Sequence, residues 1–255
     1  MIFESHAHYD DDAFDEDRES LIASLQENRI EYVINVGASM ESTERTYKLA
    51  KKYPFIYAAV GVHPSDTLPL TEEDMNRLRE LAADDKVVSI GEIGLDYYWD
   101  EPDREIQKKW FQRQIELAKE VDLPIIIHSR EAAKDTLDIL HAYDEGNYRG
   151  VMHCFSYSPE VAKEVVKMGF YIGVGGVCTY KNAKKLVEVV EEIPLEHILL
   201  ETDCPYLTPT PHRGKRNSSL YLPYVVEKIA EIKGVTPEEV ERITYENAMK
   251  LFLNR

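Results

Sequence analysis

The sequence predicts an α/β fold, a (β/α)8 TIM-type barrel with extra helices at its C-terminal end. Two observations lead there. Eight short runs rich in β-branched residues alternate with amphipathic stretches along 255 residues. Most of these runs are almost continuously apolar, which suits parallel strands covered on both faces. Polar residues suited to chemistry then follow the runs one after another, where a parallel barrel would gather them at one mouth.

Taken in order, strands are expected at Met1–Ser5, Tyr32–Val36, Ile56–Val60, Val87–Gly91, Pro124–Ile127, Gly150–Met152, Phe170–Val174 and His197–Leu200. The segments between them read as helices. Ile106, Trp110, Leu117 and Val121 share one helical face, and Pro102 suits that segment's first turn. Thr236-Pro237-Glu238-Glu239 combines a capping Thr, a Pro at the first helical position and a Glu at the third, with Val240, Ile243, Leu251 and Phe252 as the apolar face behind it. An open doubly wound sheet is the competing arrangement. It lacks support, because no glycine-rich dinucleotide fingerprint follows the first strand. The chain is expected to form a single domain spanning 1–255.

Composition narrows the function. Apolar residues make up 44%, enough for a sizeable core. The 47 Asp+Glu exceed the 30 Lys+Arg, giving a formal charge of −17. That balance argues against coating nucleic acid or binding anionic membranes through bulk charge, but leaves room for a polyanion held at one local site. No apolar run approaches the roughly 18–20 residues of a membrane span. The N-terminus lacks the basic and apolar regions of a signal peptide. Cys154, Cys178 and Cys204 stand far apart, which fits a reducing cytoplasm and argues against a disulfide scaffold or a thiolate zinc site. No obligate protein partner is evident.

The strand ends carry the chemistry. The first expected strand runs into Ser5-His6-Ala7-His8, and the third into Gly61-Val62-His63. The fourth runs into Gly91-Glu92 and Gly94-Leu95-Asp96, the fifth into His128-Ser129-Arg130. His153 follows the sixth, and Glu201-Thr202-Asp203 the eighth. His141 and His197 lie elsewhere. A barrel would converge His6, His8, Glu92, His128, His153 and Asp203, and buried polar groups of this kind call for pairing or a metal. In an extended His-x-His segment both imidazoles face one side, a half-site for a divalent ion. Glu92 has two carboxylate oxygens with which to bridge two ions. Mixed imidazole and carboxylate ligands suit Zn, Mn, Fe, Ni or Mg. The run Asp10-Asp11-Asp12 reads instead as a solvated loop before a helix N-terminus.

A second feature follows the eighth strand. Pro205 to Asn217 contains Arg213, Lys215 and Arg216 and no acid. Forked guanidinium donors and an ammonium next to Asp203 read as a phosphate clamp, which Arg130 can join. His212, in the same loop, reads equally as a substrate contact or a loop residue.

These motifs together resemble the TatD family of metal-dependent deoxyribonucleases, in the amidohydrolase-like barrel superfamily. The resemblance rests on Ser5-His6-Ala7-His8, Gly91-Glu92-Ile93-Gly94-Leu95-Asp96, His128-Ser129-Arg130, His153-Cys154-Phe155-Ser156, Glu201 to Leu207 and Pro211 to Asn217, in family order. It implies a two-metal ligand set of His6, His8, Glu92, His128, His153 and Asp203, with Glu92 bridging. It implies that Glu201 and His63 support the ligands or touch substrate. Three departures stand out: Glu4 where Asp is common, Tyr157 where Gly is usual, and Ser218-Ser219 where Glu-Pro is usual.

The resulting expectation is a metal-dependent phosphodiester hydrolase, a TatD-type deoxyribonuclease using two divalent ions (Mg, Mn or Zn). Asp203 would orient the attacking water and take its proton. Arg130, Arg213 and Lys215 would offset the charge developing on phosphorus. A narrow mouth favours single-stranded DNA or strand ends, and the resemblance implies 3′-to-5′ exonuclease polarity. Tyr206 or Tyr180 would stack on a base. The alternative is an amidohydrolase-type enzyme acting on a small molecule or an aminoacyl substrate, since the same barrel and ligands perform that chemistry.

Overall fold

The computed structural model describes residues 1–143 and 149–254. Eight parallel strands follow one another around a barrel: β1 (Ile2–Ala7), β2 (Ile30–Val36), β3 (Ile56–Val60), β4 (Val87–Asp96), β5 (Ile125–Arg130), β6 (Gly150–Met152), β7 (Phe170–Val174) and β8 (Ile198–Leu200). Helices cross between them: α1 (Arg18–Leu25), α2 (Met40–Lys52), α3 (Glu72–Ala82), α4 (Arg104–Glu120), α5 (Ala133–Ala142), α6 (Pro159–Lys167) and α7 (Lys184–Glu192). After β8 come α8 (Leu222–Lys233) and α9 (Pro237–Ala248), the extra C-terminal helices the sequence predicts. No described helix is long and apolar enough to cross a membrane.

The alternation of strand side chains divides the core in two. Ile34, Ala59, Val88, Ile126, Val151 and Leu199 join Phe3 in a cluster inside the barrel. Their neighbours Val33, Ala58, Val87, Ile125, Met152 and Ile198 join the larger cluster under the helices. The C-terminal segment closes the inner cluster with Ala248, Leu251 and Phe252, and Phe252 stacks on Phe3 with ring centroids 6.1 Å apart. Period-two alternation also sets the site. His128, His153 and Glu201 lie two residues beyond Ile126, Val151 and Leu199, so the same face carries them into the barrel above its apolar layer.

The barrel closes where the segment after β8 meets the end of β1, with a bridge between Ala7 and Cys204 and with the His8 N–H donating to the Cys204 carbonyl at 2.9 Å. Side chains reinforce this seam. Glu4 Oε1 accepts from the backbone N–H groups of His6 (3.1 Å) and Thr202 (2.9 Å), and its Oε2 accepts from the Ser219 hydroxyl at 2.9 Å. Ser5 donates to the Leu200 carbonyl at 2.9 Å. Two of the departures from the family pattern, Glu4 and Ser219, are therefore in contact with each other.

Several boundaries differ from the sequence reading. β1, β4 and β5 run further than the apolar pattern suggests. In β4, Ile93 to Asp96 pair with Ile127 to Arg130, although glycine and acidic residues have weak strand propensity. Gly94 permits this pairing: its φ is +145°, and a Cβ there would sit 1.9 Å from the His128 carbonyl oxygen. Asp103 caps α4, so Pro102 stands one residue before the cap and outside the first turn. Thr236 caps α9 through the Glu239 N–H as expected, but the α-helix ends at Ala248 and Met249–Leu253 continues as a π-turn.

Candidate metal centre

The strand ends bring the six candidate ligands together. His6 and His8 leave β1 with their Nε2 atoms 3.1 Å apart. Asp203 Oδ1 lies 3.4 Å from His8 Nε2 and 3.7 Å from His6 Nε2. Across from them, Glu92 Oε1 lies 2.6 Å from His153 Nε2 and 2.8 Å from His128 Nδ1. Glu92 Oε2 faces the other way, 3.5 Å from His6 Nε2 and 3.8 Å from His8 Nε2. Three groups are compact enough to hold a cation: His6 with His8 and Asp203, His6 with His153 and Glu201, and, sharing no residue with these, His63 with Glu92 and His128.

Hydrogen bonds behind the ring nitrogens decide which lone pairs face inward. His8 Nδ1 donates to the Val36 carbonyl at 2.8 Å, leaving Nε2 as the atom turned to the site and able to ligate. His128 Nε2 donates to Asp96 Oδ2 at 3.0 Å, leaving Nδ1 toward Glu92. Asp96 is itself fixed, because Gln107 bonds both its backbone N–H (2.9 Å) and its carbonyl (3.0 Å). His63 has the opposite arrangement. Its Nδ1 accepts the Ser65 N–H at 3.2 Å, so in the neutral ring the proton sits on Nε2, 3.9 Å from Glu92 Oε1. His63 therefore presents a donor to the site.

The fit to a metal can be tested on these atoms. The Nε2 atoms of His6 and His8 face each other at 3.1 Å, so either one of them carries a proton toward the other or both lone pairs are turned to a metal ion. Among the described residues no Lys or Arg pairs with Glu92, Asp96, Glu201 or Asp203, so imidazoles are the basic side chains that face these carboxyl groups. The donor set is imidazole and carboxylate, with no thiolate. The residues fit one or two divalent ions, and their identity is not fixed by the ligand types.

The metal-free electrostatics have the same origin. For His8, burial opposes charge, but the hydrogen bond and charge of Asp203, then Glu92 and Asp10, raise its pKa to about 10. For His128, burial again opposes charge, and Asp96 and Glu92 raise it to about 9. Burial lowers His6 to about 4 and His63 to about 3, aided by neighbouring imidazoles. Burial works to raise Asp203, yet the His8 hydrogen bond and the charges of His153 and His6 hold it below its ordinary value. Burial raises Glu201 to about 8.

Local backbone sets the two acidic residues after β8. Asp203 has φ +57°, a left-handed conformation that costs a non-glycine residue of order 1 kcal/mol. It is held by its N–H to the His6 carbonyl (3.0 Å) and by the Tyr206 N–H to its own carbonyl (2.9 Å). Glu201 accepts the Cys154 N–H at 2.5 Å, and its Oε1 lies 3.9 Å from His153 Nδ1. Gly173 makes room for it, since a Cβ there would meet Glu201 Oε2 at 2.2 Å.

A cavity of about 1260 Å³ opens over the ligands. Its lining includes His63, Arg130, Glu201 and Asp203 from the sequence reading, together with Trp99, Lys184 and Lys185, which that reading passed over. Lys184 and Lys185 begin α7 and look in sequence like an ordinary polar helix start. Arg213 and Lys215 are not in the lining. Arg213 packs over the Tyr180 ring at 4.1 Å, and Arg216 turns away to pair with Asp17 at 2.6 Å. His212 bonds the Tyr224 hydroxyl at 2.9 Å and stacks on Tyr221. The acidic run is not simply solvated. Asp10 is buried and accepts from Asn35 (2.8 Å) and Ser42 (2.6 Å), while Asp12 pairs with Arg45 at 2.6 Å. Tyr157 ties Ser129 (2.8 Å) to the Ala132 N–H (3.1 Å), so this family departure holds the turn after β5.

Comparison with known proteins follows the same lines. The family described as TatD related DNase matches residues 3–253. An uncharacterized metal-dependent hydrolase of Bacillus subtilis, YabD, is 50% identical over 252 residues, covering 99% of each chain. The 3′-5′ ssDNA/RNA exonuclease TatD of Cronobacter sakazakii is 34% identical over 245 residues, covering 94% of this chain and 93% of its own. The crystal structure of YjjV, a TatD homologue from Escherichia coli, superposes with a TM-score of 0.92 at 32% identity, covering 98% of this chain and 97% of its own.

Proposed function

Because the chain belongs to the TatD family of metal-dependent hydrolases, in the amidohydrolase-like barrel superfamily, we propose that it hydrolyses single-stranded DNA from the 3′ end. One observation carries this reading: the cavity that holds the metal-ligand groups is also lined by cations without carboxylate partners. The chain has 47 Asp+Glu against 30 Lys+Arg, and many of its surface cations are paired. Arg77 meets Glu44 at 2.6 Å and Arg113 meets Glu72 at 3.0 Å. Lys184, Lys185 and Arg130 have no such partner among the described residues, and all three line the cavity. Unpaired cations at the mouth of an acidic protein suit a polyanion. A small-molecule amide or aminoacyl substrate needs none of them. The 3′-to-5′ direction is supported by the exonuclease from Cronobacter sakazakii.

His6, His8 and Asp203 would hold one divalent ion, and His128 and His153 the other, with Glu92 reaching both. Two such ions supply a water of lowered pKa and Lewis-acid stabilisation of the phosphoryl oxygens. The chain's own groups do the rest. Asp203, kept ionised at neutral pH, orients the attacking water and accepts its proton. His63 offers its Nε2–H to a phosphate oxygen. Arg130, Lys184 and Lys185 bind the phosphates of the strand at the mouth, and Arg213 and Lys215 meet the strand further out. Glu201 positions His153 from behind. The activity is assigned to one domain covering 1–255 and to the cytoplasm, where the free thiols of Cys154, Cys178 and Cys204 are at home.

The test is hydrolysis of 3′- and 5′-labelled single-stranded oligonucleotides with Mg²⁺, Mn²⁺, Zn²⁺ or chelator, beside Asp203→Asn. Stepwise, metal-dependent shortening from the 3′ end, lost in a variant that keeps its metal, is expected. Absence of cleavage by a metal-loaded enzyme overturns the reading in favour of the small-molecule hydrolase.

A further inference from the structure

Few large apolar side chains are exposed among the described residues, and two of them, Trp99 and Tyr206, line the cavity. Trp99 is 58% exposed and Tyr98 50% exposed, whereas the other tryptophan, Trp110, is only 4% exposed. An indole left in water forgoes the gain of burial, and one that stands in the wall of a binding cavity is placed to recover it against a ligand. Trp99 lines the cavity that contains the metal ligands, which places its partner inside the substrate path.

The segment that carries it is built to stay in place. Asp96, which fixes His128, also accepts the Tyr98 N–H at 3.0 Å. Tyr97 donates its N–H to the Arg130 carbonyl at 2.9 Å and its hydroxyl to Asp135 at 2.7 Å. Tyr98 and Trp99 meet edge to face, with centroids 4.8 Å apart at 89°. The Arg130 guanidinium carbon lies over the Tyr98 ring, 3.7 Å from its centroid. Two aromatic planes on one short, anchored segment after β4 thus stand beside a guanidinium without a carboxylate partner from the end of β5.

We infer that Trp99, supported by Tyr98 and Arg130, is a stacking shelf for an unpaired nucleobase of the substrate strand and sets the preference for single strands. The inference rests on the nucleic-acid reading above. Every base offers a π-face, so the shelf tolerates any sequence, while the bases of a duplex are already stacked on one another. The cation beside the rings meets the adjacent phosphate. A shelf attached through Asp96 to the His128 ligand keeps the base in register with the reacting phosphate.

The test uses the metal-loaded enzyme and a phosphorothioate-linked (dT)6 that resists hydrolysis, beside a strand of the same length carrying abasic sugars. Binding is read by anisotropy of the labelled strand, and stacking by tryptophan fluorescence, in which Trp99 is the one indole open to solvent. The expected result is quenching by (dT)6 and none by the abasic strand. Trp99→Ala should weaken (dT)6 binding about tenfold and abasic binding by less than twofold, with Trp99→Phe recovering most of the loss. Equal binding of (dT)6 by wild type and Trp99→Ala overturns the shelf and leaves the nuclease reading standing. Failure of both strands to bind the wild type overturns the two together.

Discussion

Glu92 Oε1 lies 2.6 Å from His153 Nε2, while the other oxygen of the same carboxylate faces His6 Nε2 at 3.5 Å. One buried side chain thus addresses both halves of the ligand cluster. It is held below its ordinary pKa: burial works to raise it, and the charges of His153 and His63 and the hydrogen bonds of His128 and His153 outweigh that. A carboxylate that is ionised and two-sided is what a bridging ligand requires. Glu92→Gln, which keeps the shape and removes the charge, is expected to lower metal occupancy at both halves, with affinity falling at least tenfold in a metal titration.

Asp96 acts one step behind. Its Oδ2 takes the His128 Nε2 proton and so leaves Nδ1 free to ligate. Asp96→Asn removes the charge that favours this tautomer. Metal affinity should fall roughly 10- to 100-fold, as for other carboxylates that orient a metal-bound imidazole. The same variant should loosen the 98–99 segment, detectable as weaker oligonucleotide binding.

The metal-free protein should be most stable on the acid side of neutrality, at about pH 4.5–6.5. His8 and His128 titrate at about 10 and about 9 when folded, above their unfolded value of 6.5, so their contribution is full below pH 6.5 and lost as pH rises through 9 to 10. Glu4 and Glu201, raised by burial to about 7 and about 8, bind protons more tightly folded than unfolded and also lose stability as pH rises. His6 and His63, lowered to about 4 and about 3, lose it as pH falls below 6.5. In EDTA, Tm should therefore decline from pH 7 to 10. With Mn²⁺ that decline should be largely removed, because the ion replaces the histidine protons. Equal slopes with and without metal would contradict this.

Lys184 and Lys185 should govern substrate affinity. Charge reversal of both is expected to raise KM for oligonucleotides about tenfold or more, with a smaller change in kcat. The slope of log K against log salt should also become shallower, by about 0.7 for each lost phosphate contact on a single strand.

Glu4 should be structural. It satisfies three donors at the seam between β1 and β8. Glu4→Ala strands them in a dry interior and is expected to cost about 2–4 kcal/mol in chemical denaturation. Glu4→Asp, one methylene shorter, should pull away from Ser219 and lose less.

Much of this was legible in sequence because apolar runs and strand-end polar groups occupy the same short segments. The barrel and the convergence of His6, His8, Glu92, His128, His153 and Asp203 follow from that pattern. The ends of β4 and β5 did not show, since Glu92, Gly94, Asp96 and Ser129 interrupt the apolar pattern with residues of weak strand propensity. Asp10 looked solvated because its partners, Asn35 and Ser42, lie on β2 and α2, far along the chain. The charge of the Pro205–Asn217 loop was visible, but not its direction. Arg216 turns to Asp17, and the cations without carboxylate partners in the cavity wall come instead from α7 and from Arg130 at the end of β5.

The central claim is that one carboxylate joins two cations over this barrel. Anomalous diffraction from crystals soaked in Mn²⁺ measures it most directly. Two peaks are predicted, one on each side of Glu92, the first against His6, His8 and Asp203 and the second against His128 and His153. A single peak, or peaks that Glu92 does not touch, would contradict it.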